Sequence, residues 1–153
     1  MAAEYLAQAA QVVALNTPVN MVASIPCTKG YVIHDNGTGI FILRGITEQC
    51  YATYQVTFNA NIGIPDGEPT PIAIALSVNG EPRLTSRAIY VPTGTIADGD
   101  YGNVTSTAII RVPRGCCFTI SVDYVNGNTA DPTAVPAPTI SVIDSNLVIE
   151  RIA

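Results

Sequence analysis

The sequence predicts an all-β sandwich, on three observations. From Tyr51 to Ala60 the even positions are Ala52, Tyr54, Val56, Phe58 and Ala60, and the odd ones are Tyr51, Thr53, Gln55, Thr57 and Asn59. This strict alternation is the period of a strand with one buried face. After a connection rich in Pro, Gly and Asp, a second run puts Ile72, Ile74, Leu76 and Val78 on one face, and Asn79-Gly80 closes it. Asn-Gly between apolar runs is the strongest short hairpin signal. Turn residues recur about every 8–12 residues, as in a sandwich, and no convincing helical period occurs. The two long strands, read as a central pair in register, must bury their apolar face on another sheet.

The remaining elements follow in chain order. Residues 1–9 are Ala-rich and compatible with one weak helical turn or an extended arm, since termini are loose unless tied down. Gln11–Leu15 and Val19–Ser24 read as short strands broken at Pro18. Tyr31–His34 and Ile40–Arg44 are β-rich runs joined by Asp35-Asn36-Gly37-Thr38-Gly39, which reads as a hairpin. Beyond the central pair, Leu84–Val91 reads as a strand, and 93–103, with Gly94, Gly99 and Gly102, as a surface loop. Val104–Val112 and the alternating Phe118–Tyr124 are strands, 126–138 is a second loop, and Ile140–Ile143 and Leu147–Ile152 close the chain. That is roughly ten short strands in one domain of 153 residues. A chain of this length buries roughly 68–70% of its unfolded surface, enough for a core without staples.

Charged residues make up only 12% of the chain and apolar ones 48%, against a usual charged share of about 25%. So few charges point to a surface covered by copies of the chain or by a larger assembly. The net charge is −5, and seven Lys and Arg residues make no basic stripe. That argues against nucleic-acid partners. No stretch reaches the roughly 20 apolar residues of a membrane span. MAAEYLAQAAQVVAL has Glu4 and no positive n-region, so folding in a cytoplasm is expected.

Chemistry is sparse. Cys27, Cys50, Cys116 and Cys117 show no CxxC spacing and accompany a single histidine, so no metal or cofactor is expected. They read as reduced, small core residues, with a Cys27–Cys50 bridge after release from the cell as the alternative. Any Ser/His/Asp or Cys/His site would need His34, which reads as a partly exposed turn residue, so no enzyme is expected. Asp98-Gly99-Asp100 offers carboxylates to a cation, but it is also ordinary turn chemistry. Tyr90 and Tyr101 flank the 93–103 loop and, with Asp98 and Asp100, are the candidate outward recognition residues; the bland reading is that they cap the sandwich end. Asn36-Gly37-Thr38 and Asn103-Val104-Thr105 match the glycosylation pattern by chance.

Four segments carry a resemblance. Cys50-Tyr51-Ala52-Thr53-Tyr54-Gln55-Val56-Thr57-Phe58, Ile74-Ala75-Leu76-Ser77-Val78-Asn79-Gly80, Thr107 to Gly115 and Asn146 to Ile152 resemble, in that order, strands of tumour-necrosis-factor-like and complement-type globular heads. The resemblance implies a ten-stranded jelly roll whose sheet of first, last and central strands packs around a threefold axis. It implies trimer contacts at Tyr54, Thr105, Thr107, Ile109, Leu147 and Ile149. Cys27 to Val32 and Gly39 to Gly45 resemble small prophage-encoded head-decoration or head-fibre proteins. The implied function is a homotrimeric structural subunit on a bacteriophage virion surface, made in the host cytoplasm. Its expected partners are itself and the major capsid protein or another virion protein. Residues 1–24 would be an arm or first strands for attachment or trimer contacts, and 25–153 the jelly-roll domain. The alternative is a receptor- or carbohydrate-binding head of a phage fibre or bacterial surface protein, with a host-surface glycan as partner.

Overall fold

The structure, a computed structural model, describes residues 1–27 and 29–153. Thr28, part of the Cys27-to-Val32 motif, lies outside the described residues. Among the described residues twelve strands form: β1 (Ala2–Ala7), β2 (Gln11–Ala14), β3 (Val22–Ile25), β4 (Val32–His34), β5 (Phe41–Arg44), β6 (Tyr51–Gly63), β7 (Ile72–Val78), β8 (Glu81–Pro82), β9 (Ala88–Tyr90), β10 (Gly102–Pro113), β11 (Cys117–Asn126) and β12 (Thr139–Arg151). They make two six-stranded sheets. One has the order β10-β6-β12-β1-β3, with β2 also on β12; the other is β4-β5-β11-β7-β8, with β9 also on β7. The strand pairs are antiparallel, so alternate residues of each long strand face the space between the sheets.

That space is the core. Ala52, Tyr54, Val56, Phe58 and Ala60 of β6 are all buried, as the alternation predicts. They meet Ile72, Ile74 and Leu76 of β7 and Ile120, Val122 and Tyr124 of β11 in one apolar cluster. β6 and β7 therefore do not pair, contrary to the central-pair reading. They lie in opposite sheets and pack face to face. The hairpin after β7 forms with Asn79 (φ 52°) and Gly80 (φ 83°) as its two loop residues, between Val78 and Glu81. Positive φ at both positions is what Asn-Gly tolerates.

Three other expectations change. Residues 1–9 are neither helical nor an arm: Ala2–Ala7 is a strand held on one side by β12 and on the other by β3. Leu84–Val91 is broken by a 3₁₀ turn at Leu84–Ser86. There the Ser86 hydroxyl donates to the Arg83 carbonyl (2.6 Å) and accepts the Leu76 N–H (3.0 Å), which closes the turn and ties it to β7. The last two segments form one strand, β12, with a register shift between Ile143 and Asn146, where Asp144 takes φ 52°.

Burial of Tyr124 sets a pH prediction. Its ring is fully buried, its hydroxyl donates to the Ala137 carbonyl (2.6 Å), and burial pushes its phenol pKa up to about 12. An unfolded tyrosine ionises near pH 10. Above about pH 10 the unfolded chain therefore sheds a proton that the folded chain keeps. This contribution to stability is full below pH 10 and is lost as pH rises toward 12. Phenolate absorbance followed against circular dichroism should show a late tyrosine class that ionises only as the fold is lost. Complete tyrosine titration near pH 10 with native dichroism would contradict this.

Candidate interaction surface

The outward face of the β10-β6-β12-β1 sheet is built by the positions that alternate with the core. β6 contributes Thr53, Gln55, Thr57, Asn59 and Asn61; β10 contributes Asn103, Thr105, Thr107, Ile109 and Arg111. β12 adds Asn146, Val148 and Glu150, and β1 adds Ala2, Glu4 and Leu6. Glu4, Glu150 and Arg111 are the charged residues on these positions.

The β10–β6 side of the face is a hydrogen-bonded ladder. The Asn103 amide donates to the side-chain oxygens of Asn59 (2.9 Å) and Asn61 (3.0 Å), the Thr105 hydroxyl donates to Asn59 (2.7 Å), and the Thr57 and Thr107 hydroxyls share a bond (3.0 Å). Cross-strand pairs of this kind hold side chains flat and pre-ordered. The Asn residues were not singled out from the sequence. The signal was present in the odd positions of Tyr51–Ala60, which are polar but uncharged.

The six expected trimer-contact residues divide in two. Thr105, Thr107 and Ile109 point outward, with Ile109 47% exposed. Tyr54, Leu147 and Ile149 do not: each is 0% exposed inside its own chain. They sit on the inward phase of β6 and β12, so the packing of the two sheets withholds them from any neighbour.

Beside this face, the β1–β3 edge is apolar. Val22 (44%) and Ile25 (56%) are exposed on the edge strand. A cleft of about 320 Å³ adjoins them, lined by Leu6, Met21 and Val22 together with Gln8, Gln11 and Asn20.

The 93–103 loop is locked by its own side chains. Asp100 accepts the Tyr90 hydroxyl and the backbone N–H groups of Thr93 (2.8 Å) and Gly94 (2.8 Å). These bonds, the tyrosine's above all, hold the Asp100 carboxyl below its usual range and raise the Tyr90 phenol. Asp98 closes a capping box with Thr95 on the 3₁₀ turn Ile96–Asp98. A Cβ at Gly102 would lie 2.3 Å from the Tyr90 ring, which explains the glycine. The Tyr101 hydroxyl bonds Ser141 (3.2 Å). The four residues expected to recognise a ligand are thus brought together, but largely in contact with one another and with β12.

His34 is tied down as well. Its ring stacks on Phe41 (4.2 Å between centroids), meets Tyr5 edge-on (4.8 Å), and Nε2 bonds the Thr38 carbonyl (2.9 Å). The cysteines depart from the core reading: Cys50, Cys116 and Cys117 are exposed, and only Cys27 packs against the core. Cys50 and Cys116 lie in loop positions and Cys117 opens β11, so none sits in a strand interior. Burial raises the Cys27 thiol, but backbone N–H groups of residues 29–32 outweigh it and the net shift is downward.

Comparisons with known proteins locate the fold. No family model and no curated protein matches the chain. Among solved structures it is similar to Eiger TNF from S. frugiperda, at TM-score 0.64 and 13% identity, covering 100% of this chain and 92% of that one. The fold is the tumour-necrosis-factor-like jelly roll. The globular domain of zebrafish complement 1qA aligns at TM-score 0.56 and 14% identity over 96% and 94% of the two chains. Murine APRIL aligns at 0.57 and 9% over 98% and 99%. Identity this low speaks for the jelly roll alone. No helix among the described residues is long and apolar enough to cross a membrane.

Proposed function

We propose that this chain is a structural subunit that self-associates as a homotrimer and decorates a bacteriophage capsid, as a head-decoration or head-fibre protein on the outer shell. The observation that carries self-association is the flat outward face of the β10-β6-β12-β1 sheet. Its side chains on β6 and β10 are pre-ordered by Asn59, Asn61, Asn103 and Thr105, and this ladder carries no charge. A ring of identical subunits needs two different surfaces that fit each other. The apolar β1–β3 edge, with Val22 and Ile25 exposed, is the second surface. The TNF-like fold supports the trimer, and the resemblance of Cys27 to Val32 and Gly39 to Gly45 to prophage head proteins supports the capsid. On this reading the end bearing the termini faces the shell, with the major capsid protein or another virion protein beneath it.

A receptor- or glycan-binding head is the second reading. It is favoured by Val91 and Val135, 63% and 87% exposed at the other end of the sandwich. Saturable binding of the isolated protein on a glycan array, lost in Tyr90→Ala, would favour it.

The test of self-association is native mass. Light scattering should give three copies of the 16.0 kDa chain, about 48 kDa. Ile109→Glu, which puts a charge on the face without touching the core, should yield a monomer with unchanged circular dichroism. A monomeric wild type, or an Ile109→Glu protein that stays trimeric, counts against this face.

A further inference from the structure

The four cysteines gather at one end of the sandwich, the end that carries both termini. The register places them. Tyr51, next to Cys50, pairs with Pro113; Arg151 pairs with Tyr54; Ala2 pairs with Glu150. Cys27 follows β3, whose Ile25 lies opposite Glu4. Cys116 follows the turn Arg114-Gly115 that leads from β10 into β11, and Cys117 is the first residue of β11. That turn is tied to the β5–β6 loop: Gly45 N–H donates to the Cys116 carbonyl (2.8 Å), Gly115 N–H to the Gly45 carbonyl (3.0 Å), and Arg114 N–H to the Cys50 carbonyl (2.9 Å). Cys50, Cys116 and Cys117 are exposed on this one tied unit. Free cysteines are ordinarily among the most buried residues, so three exposed thiols on one rigid turn-and-loop unit ask for a use.

We propose that this end is a disulfide-linkage face, through which copies of the chain are joined once they leave a reducing compartment. The inference rests on the trimer proposed above. Rotational symmetry puts the same end of every copy on the same side of the ring, so each ring presents three Cys50–Cys116–Cys117 groups together. The oxidant is a low-molecular-weight disulfide. A thiolate of one copy attacks one sulfur of that disulfide, a mixed disulfide forms, and the other half leaves as a thiolate and takes up the proton the protein thiol lost. A thiolate of a second copy then attacks the protein sulfur of the mixed disulfide. The inter-chain bond forms and the second small thiol leaves. Two protein thiols are oxidised, and one small disulfide is reduced to two thiols.

The full chain is incubated with oxidised glutathione, quenched with an alkylating agent and run on a denaturing gel without reductant. Its native mass is measured in parallel in reducing buffer. Dimer and trimer bands that vanish with reductant are expected. They should be lost in the combined Cys50→Ser, Cys116→Ser, Cys117→Ser protein and kept in Cys27→Ser. A chain that is trimeric in reducing buffer yet gives only monomers with glutathione adducts overturns the linkage face and leaves the trimer standing. So does cross-linking that depends on Cys27. A monomer in reducing buffer overturns the trimer, and the symmetry argument with it.

Discussion

A chain lacking residues 1–24 will fail to fold. The segment supplies β1 and β2 and most of β3. β1 is an interior strand: Ala2–Ala7 pairs with β12 along its whole length on one side and with β3 on the other. Residues 16–19 add a second attachment, to the opposite sheet, where Val19 N–H donates to the Val122 carbonyl (2.8 Å) and Asn16 N–H to the Tyr124 carbonyl (2.8 Å). Tyr5, Val13, Val19 and Met21 are all buried. Burying side chains of this size contributes about 1.5–3 kcal/mol each, so together they equal the order of the 5–15 kcal/mol by which a domain is stable. Removal also leaves one edge of β12 unpaired beneath an open core. The measurement is urea unfolding of the truncated and full chains followed by circular dichroism. No cooperative transition is expected for the truncated chain, which should be recovered mostly insoluble. A truncated chain that unfolds cooperatively at a similar midpoint would show that the segment is an appendage after all. Attachment by this segment, if it occurs, must therefore use its outward side chains, such as Leu6 and Val22, while its backbone stays in the sheet.

Much of this fold was legible in the residues, and the failures share a cause. Alternation reports which face of a strand is buried, and it was right along β6. It does not report which strand lies alongside, because both sheets of a sandwich show the same period. That is why β6 and β7 looked like partners when they are opposing layers. β1 was missed because Ala-rich AAEYLA has little intrinsic strand preference. Its inward Ala3 and Tyr5 gain their burial from β12 and the core, and tertiary context decided the conformation. In the candidate surface, Thr105, Thr107 and Ile109, which the resemblance implied as contacts, do sit on the outward phase of β10. The Asn ladder beside them was not legible, because amides in a strand pattern look like neutral surface until the cross-strand register joins Asn103 to Asn59 and Asn61. Locking of the 93–103 loop depends on Tyr90 reaching Asp100 across ten residues, and no local pattern reports that.

Tyr54 separates period from resemblance, and its substitution should act on stability alone. Resemblance put it at a subunit contact, whereas the alternation of β6 puts it inside. The ring is 0% exposed, and its hydroxyl reaches the carbonyls of Arg44 (2.5 Å) and Tyr31 (3.2 Å). The Arg151 guanidinium lies 5.7 Å from the ring centroid and 4.7 Å from that of Tyr31. Burial raises the Tyr54 phenol, although Arg151 works against it. Tyr54→Ala opens a cavity between the sheets and takes the hydroxyl donor from the Arg44 carbonyl, while the Tyr31 carbonyl keeps the Arg44 N–H (2.9 Å); the cost is about 3–5 kcal/mol by analogy with large aromatic truncations. Tyr54→Phe keeps the volume and removes only the donor, at about 1–3 kcal/mol for the one acceptor, the Arg44 carbonyl, that loses its side-chain partner. Urea titration of both variants checks the order and size of these losses. Native mass checks the location: Tyr54→Phe should associate as the wild type does, whereas Ile109→Glu should not. If Tyr54→Phe left stability unchanged but altered the native mass, Tyr54 would be a contact between chains, and the inward phase of β6 would have been misplaced by one residue. A slip of that kind moves every side chain of a strand to the other face, so Tyr54 tests the register of the whole sheet as well as its own position.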